Sequence, residues 1–147
     1  MLQPKLPVED YSLVIRTDFS DDAAWQSICK ALQATYTDAR YQTADGFQAN
    51  VQCISNEACA GLTPEAVWSL LPDGFEGLFI FIVDSKTISN SEHPVLVADF
   101  GEEPGQTFRV IPSAAWAVEN NLRLANMGFE DFEAQLGADG ILRSAFG

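Results

Sequence analysis

Two carboxylates stand where an open α/β sheet keeps its chemistry. Asp18 follows the run Tyr11–Thr17 (YSLVIRT), and Asp84 closes the run Leu78–Val83 (LFIFIV). In such sheets ligands gather beyond the carboxyl ends of strands, where the strand order switches. If these two strands are neighbours, Asp18 and Asp84 share a rim. Ser20, Asp21 and Asp22 lie beside the first, and Lys86 lies two residues past the second, close enough in sequence to pair with it. Carboxylates collected in this way suit Mg²⁺, which takes oxygen ligands, or acid–base work by a carboxyl whose pKa is raised. The competing role is architectural: Ser20, Asp21 and Asp22 cap a helix, and Asp18 and Asp84 end strands.

A second set lies in Trp116-Ala117-Val118-Glu119-Asn120-Asn121-Leu122, followed by Asn126. Trp116 and Asn120 are i, i+4 neighbours, as are Glu119 and Arg123 in the favourable order. Consecutive asparagines form helix poorly. Something other than propensity therefore keeps Asn120 and Asn121 in place. It is either a ligand or partner, or a polar network bonded to an adjacent loop. Trp116, Glu119, Asn120 and Asn126 are the candidate ligand-binding residues.

Other reactive types give less. The three cysteines, Cys29, Cys53 and Cys59, are an odd number, which fits reduced thiols. Cys29 and Cys53 fall at core-facing positions, so Cys59, in a loop of small residues, is the one expected to be exposed. The only histidine is His93, before Pro94. One histidine without a close cysteine pair falls short of the usual zinc set. No Gly-x-Ser-x-Gly elbow accompanies it, and a surface loop is its expected place. Gly-x-x-x-x-Gly-Lys and Gly-x-Gly-x-x-Gly phosphate loops are absent. Phosphate-receiver domains also place acids after the first and third strands. Here, however, Asp21-Asp22 falls inside a helix start, and no later strand ends in lysine.

The elements that must position these groups follow from periodicity. Ser20 is a helix N-cap, and Trp25, Ile28, Cys29 and Leu32 recur at helical spacing over 21–34. Phe47, Ala49, Val51 and Cys53 alternate with polar residues, which predicts a half-buried strand at an edge. Thr63-Pro64-Glu65 opens a second helix with Val67, Leu70 and Leu71 inside. LFIFIV has no polar side, so it belongs in the middle of a sheet covered on both faces. The stretch 85–94 is too short and polar for a crossover helix. The next strand, Val95–Asp99, should therefore run antiparallel and pair with Thr107–Ile111 across a Pro104-Gly105 type II turn. A long helix over 114–127 stops at Gly128. Phe129, Phe132 and Leu136 give a short one, and the tail 141–146 docks on the core. The fold class expected is α/β, a three-layer, mixed, mostly parallel sheet of about five strands (βαβαβ, then a hairpin) flanked by helices. The 147 residues read as a single domain with a flexible arm at 1–10.

Composition sets outer limits. The formal net charge is −13, spread evenly over both halves, and the sequence pI is about 4.1. Such a surface repels a nucleic-acid backbone and an anionic membrane. The longest apolar run, LFIFIV, is far short of a bilayer span. Residues 1–10 lack the apolar segment of a signal peptide, which points to the cytoplasm.

Three stretches stand out: Arg16-Thr17-Asp18-Phe19-Ser20-Asp21-Asp22-Ala23-Ala24-Trp25, Glu92-His93-Pro94-Val95-Leu96-Val97-Ala98-Asp99, and Phe108-Arg109-Val110-Ile111-Pro112-Ser113-Ala114-Ala115-Trp116-Ala117-Val118-Glu119-Asn120-Asn121-Leu122 with Ala125-Asn126-Met127. Together they resemble a family of uncharacterised small bacterial and fungal domains over residues 11–136. The resemblance implies membership and brings no mechanism. The expectation is a soluble, acidic, non-catalytic binding or regulatory domain without a cofactor. It would contact a basic protein or a small ligand through the Trp116–Asn126 helix and neighbouring loops. The rival is a Mg²⁺-assisted hydrolase or phosphoryl-transfer enzyme built on Asp18 and Asp84. A third reading is a subunit of a homodimer.

Overall fold

The computed structural model describes residues 12–36, 46–72, 75, 77–101 and 105–144. The expected N-terminal arm at 1–10 lies outside them, as do Pro104 and the end of the tail, 145–147. The strands are β1 (Ser12–Arg16), β2 (Val51–Ile54), β3 (Phe79–Val83), β4 (Val95–Asp99), β5 (Thr107–Val110) and β6 (Ile141–Leu142). The helices are α1 (Asp22–Gln33), α2 (Pro64–Trp68), α3 (Ser85–Ser89), α4 (Ala115–Arg123) and α5 (Phe129–Glu133). The strands form one sheet in the order β2-β1-β3-β4-β5-β6. The pairs β1–β2, β1–β3 and β5–β6 are parallel, whereas β3–β4 and β4–β5 are antiparallel. The architecture is α/β with a mixed sheet, and its two antiparallel pairings leave it only loosely mostly parallel.

LFIFIV takes the central place its composition predicts. Every residue of β3 is buried, and its side chains alternate between two cores. Phe79, Phe81 and Val83 join Val14, Trp25, Ile28, Phe108 and Phe132 under α1, α4 and α5. Ile80 and Ile82 join Leu13, Ile15, Val67 and Leu71 under α2. Each such side chain contributes about 1.5–3 kcal/mol relative to an exposed position, so a polar substitution on either face of β3 is costly. The alternating segment 47–53 ends in β2, an edge strand, also as predicted.

The differences are local. The N-cap of α1 is Asp21, whose carboxylate accepts from the Ala24 N–H at 3.0 Å, one residue later than Ser20. The five-residue α3 fits inside 85–94 with its first turn closed by side chains. Asp84 caps it, accepting from the Thr87 N–H, while the Thr87 hydroxyl accepts from the Asp84 N–H. A sixth strand, β6, is formed by the docked tail. Two residues long, it carries no alternation to betray it. The long helix stops at Arg123, well before Gly128, because Ala125 takes a left-handed φ of 58° and turns the chain. Gly128 instead starts α5, where its N–H donates to the Asp131 carboxylate at 2.8 Å.

The β4–β5 hairpin closes at Gly105, whose φ of +96° is the conformation that the third position of a type II turn demands. Open space surrounds it, so Gly105→Ala tests conformation alone. The substitution is expected to cost about 1 kcal/mol in thermal unfolding. A change below a few tenths would mean that the turn tolerates a side chain there.

Candidate functional site

The two sheet rims carry different chemistry. β1 and β3 are parallel neighbours and finish together: the Thr17 and Asp18 N–H groups both donate to the Val83 carbonyl, at 3.0 and 3.4 Å. At that carboxyl-end rim Asp18 turns inward on its own chain, and its Oδ1 accepts from the Ser20 N–H at 2.8 Å. Asp84 turns the other way along the sheet. Arg109 of β5 grips both of its oxygens, at 2.9 and 2.8 Å, and also donates to the Pro94 carbonyl at 3.0 Å. The cation at Asp84 is thus Arg109 from a distant strand, where sequence proximity pointed to Lys86. Burial pushes the Asp84 carboxyl up, but the bonds from Arg109 and Thr87 outweigh it and hold the group below the ordinary aspartate range. A general acid needs the opposite shift. Among the described residues no three His, Cys, Asp or Glu side chains are grouped to hold a metal ion.

The polar residues of α4 lie at the opposite, amino-end rim. Trp116 is buried and stacks on Phe47, with centroids 4.3 Å apart and planes 16° from parallel. Glu119 is completely buried. Its carboxylate accepts from the Ser12 hydroxyl at 2.7 Å, the Asn50 N–H at 2.8 Å and Arg123 Nε at 2.7 Å. The Asn120 amide donates to the carbonyls of Gln48 and Trp116, at 3.0 and 2.7 Å, and Asn121 donates to the Ala117 carbonyl at 2.8 Å. Of the two asparagines that sit poorly in a helix, Asn120 ties the helix to the edge segment and Asn121 bonds back to its own preceding turn. Trp116, Glu119 and Asn120 form a clamp on residues 47–50, and Asn126 is the one candidate that reaches open space.

Asn126 lies in the turn after α4, where the Asn126 and Met127 N–H groups both donate to the Asn121 carbonyl, at 2.9 and 3.3 Å. This turn and the start of α5 face the amino end of β3 and the end of β4. Between them is a cleft of about 290 Å³. Leu78, Phe79, Leu122 and Met127 give it apolar walls, and Asp99, Glu130 and Asp131 give it carboxylates. Asp99 is 7% exposed and accepts from the Gly101 N–H at 2.9 Å. Among the described residues no Lys or Arg lines the cleft. Among the described residues, Leu78 and Leu124, each 57% exposed, are the large apolar side chains left open to solvent, and both belong to this end of the molecule. Sequence reasoning reached Asn126 but missed Leu78, Asp99, Met127 and Glu130. The visible signals were an apolar residue before a fully buried strand and a methionine between two helices. Their meeting depends on the early end of α4.

Thiols and imidazole change places relative to expectation. Cys59 is completely buried in the short 3₁₀ turn Glu57–Cys59, and burial pushes its thiol pKa up. The turn folds that small-residue loop onto the α2 core, so Cys59 is not the exposed thiol. Cys29 and Cys53 are the half-buried ones. His93 is also half-buried, and its Nδ1 sits 3.0 Å from the Thr87 carbonyl, bracing the turn into β4.

The sequence pattern of a family described as Domain of unknown function (DUF6924) matches residues 11–145. No curated protein matches the chain.

Proposed function

The chain belongs to the DUF6924 family, a domain of unknown function, and from its own residues we propose that it is a non-catalytic binding module for a basic, partly apolar segment of a partner protein. The observation that carries this reading is the amino-end cleft, which joins apolar walls to three carboxylates without a lining Lys or Arg among the described residues. Lysine and arginine carry an aliphatic stem and a charged head, and such a cleft is complementary to both parts. The surrounding charge of −13 steers a cationic partner toward the surface. It also opposes pairing of two copies at this face, because each copy brings the same acids. The cytoplasm is the compartment this reading adopts. Among the described residues, no helix is long and apolar enough to cross a membrane.

The test uses a fluorescent peptide of alternating lysine and leucine, and a control in which glutamate replaces lysine. The lysine peptide is expected to bind and to shift the amide resonances of Leu78, Asn126, Met127 and Glu130. Glu130→Lys is expected to weaken it about ten-fold through like-charge contact. Glu57→Lys, which makes the same charge change on the 3₁₀ turn over the other core, should weaken it far less. Equal losses in the two variants would reduce the effect to bulk charge and remove the cleft from the proposal. Binding of a free alkylamine as tight as that of the peptide would point to a small cation as the ligand.

A further inference from the structure

We propose that the amino-end cleft selects lysine over arginine and takes one lysine side chain of the bound segment. The selection rests on the basic-partner reading and names the side chain that the cleft reads. The cleft volume of about 290 Å³ lies at the lower limit of small-molecule sites, about 300 Å³, so it receives a side chain and not a length of backbone. Its carboxylates sit on two walls. Asp99 ends β4 opposite Phe79 of β3, so the two share the sheet face that α4 and α5 cover. Glu130 and Asp131 come from the first turn of α5.

Both aspartates are already turned by a backbone bond. Asp99 Oδ1 accepts from the Gly101 N–H at 2.9 Å, and Asp131 Oδ2 accepts from the Gly128 N–H at 2.8 Å. An arginine fork needs both oxygens of one carboxylate, in plane with its two parallel N–H groups. A carboxylate with one oxygen held by its own backbone does not present that pair. An ammonium needs only one oxygen from each of several groups, because its three donors point apart from a compact nitrogen. An oxygen that holds one bond still accepts a second. Carboxylates divided between two walls therefore suit lysine. Glu130 is the place left for an arginine fork, and it is exposed, where an ion pair adds little.

Two glycines leave room for the side chain. The backbone of Gly101 is not left-handed, so its conformation does not demand glycine. A Cβ there would stand 3.2 Å from the Leu78 Cβ and 3.5 Å from Asp99 Oδ1, at the inner end of the cleft. A Cβ on Gly128 would come within 3.1 Å of both Glu130 oxygens. Bare backbone at these points keeps Asp99 within reach of the solvent side. Leu78, Leu122 and Met127 line the way in and suit the unbranched apolar stem of lysine.

The probes are the fluorescent lysine–leucine peptide and the same peptide with arginine in place of lysine. General attraction to an acidic surface acts on both, so their affinity ratio isolates the cleft. Wild type is expected to bind the lysine peptide about ten-fold tighter. Asp99→Asn keeps an oxygen for the Gly101 N–H but loses the charge, and should bring the ratio close to one. Gly101→Ala should lower it about three-fold by crowding Asp99 and Leu78. Thermal melts followed by circular dichroism check that each variant folds, and the wild-type ratio needs no variant at all. Arginine binding as tightly as lysine in wild type would overturn the selection and leave the basic-partner reading standing. A ratio unchanged in both folded variants would overturn the assignment to Asp99 and Gly101. Binding of neither peptide would remove the basic-partner reading and the selection with it.

Discussion

Glu119→Ala is expected to remove about 4 kcal/mol of folding stability, because truncating one partner of a buried ion pair leaves its neighbours without the group they were built around. Glu119 is completely buried, and its two oxygens collect donors from two distant stretches, Ser12 at the start of β1 and Asn50 before β2, and from Arg123 one turn along α4. Alanine would strand the Asn50 N–H and the Ser12 hydroxyl, release Arg123, and leave a cavity where a long side chain had been. Glu119→Gln keeps the shape and one acceptor oxygen but loses the charge that answers Arg123, so about 2 kcal/mol is expected. Urea denaturation gives both values from the midpoint at constant slope. A loss below about 1 kcal/mol for the alanine variant would mean that water substitutes freely for the carboxylate, and the clamp would not be a structural hub.

This clamp shows where sequence reasoning stops. The Glu119–Arg123 pair and the oddity of Asn120-Asn121 were legible, since both are spacings within one helix. Their purpose was not. The partners Ser12, Gln48 and Asn50 are between 69 and 107 residues away for Glu119 and 72 for Asn120. Only the topology, with β1 beside β2 and α4 lying across them, supplies those contacts. The central strand was legible for the opposite reason. LFIFIV needs two covered faces whatever its neighbours are, so its place follows from composition alone. From that place the shared rim with β1 also follows, and Thr17 and Asp18 do bond to Val83.

The candidate pocket at the rim depended on side-chain direction, which strand order does not fix. Cys59 illustrates the same limit. Small neighbours usually mean an exposed loop, yet here they allow a tight 3₁₀ turn to press the thiol into the α2 core. Conversely, the helical spacing that put Cys29 on the inner face of α1 was right in direction. That face looks past an edge strand, which leaves part of it open beside Cys53.

Asp84→Asn carries the second large expected effect, and its pH dependence separates an architectural from a catalytic carboxylate. The Asp84 and Arg109 side chains are 26% and 14% exposed, and the two are joined by paired bonds. Asparagine retains a cap for α3 but not the charge, so Arg109 is left largely buried beside the Pro94 carbonyl without its counter-ion. A loss of about 3 kcal/mol at neutral pH is expected. The sign with pH follows from linkage. Burial pushes the Asp84 carboxyl up, but Arg109 and Thr87 overcome it, and its pKa in the folded protein lies below the ordinary 3.8. The unfolded chain therefore takes up the proton first. The stabilisation is complete above the unfolded pKa and is lost as pH falls through the folded one. Wild type and Asp84→Asn should differ most at neutral pH and converge in strong acid. Glu92 and Asp139 are also held low, by Arg143, but they are present in both proteins and cancel in the difference.

Arg109→Gln should cost a similar amount. The double variant should cost clearly less than the two losses added, since each single change already breaks the same pair. Calorimetric titration of wild type with Mg²⁺ is expected to show no heat that Asp84→Asn abolishes, because both carboxylate oxygens already serve Arg109. A Mg²⁺ signal lost in Asp84→Asn, with stability unchanged by that substitution, would reverse the assignment and return the carboxyl-end rim to catalysis.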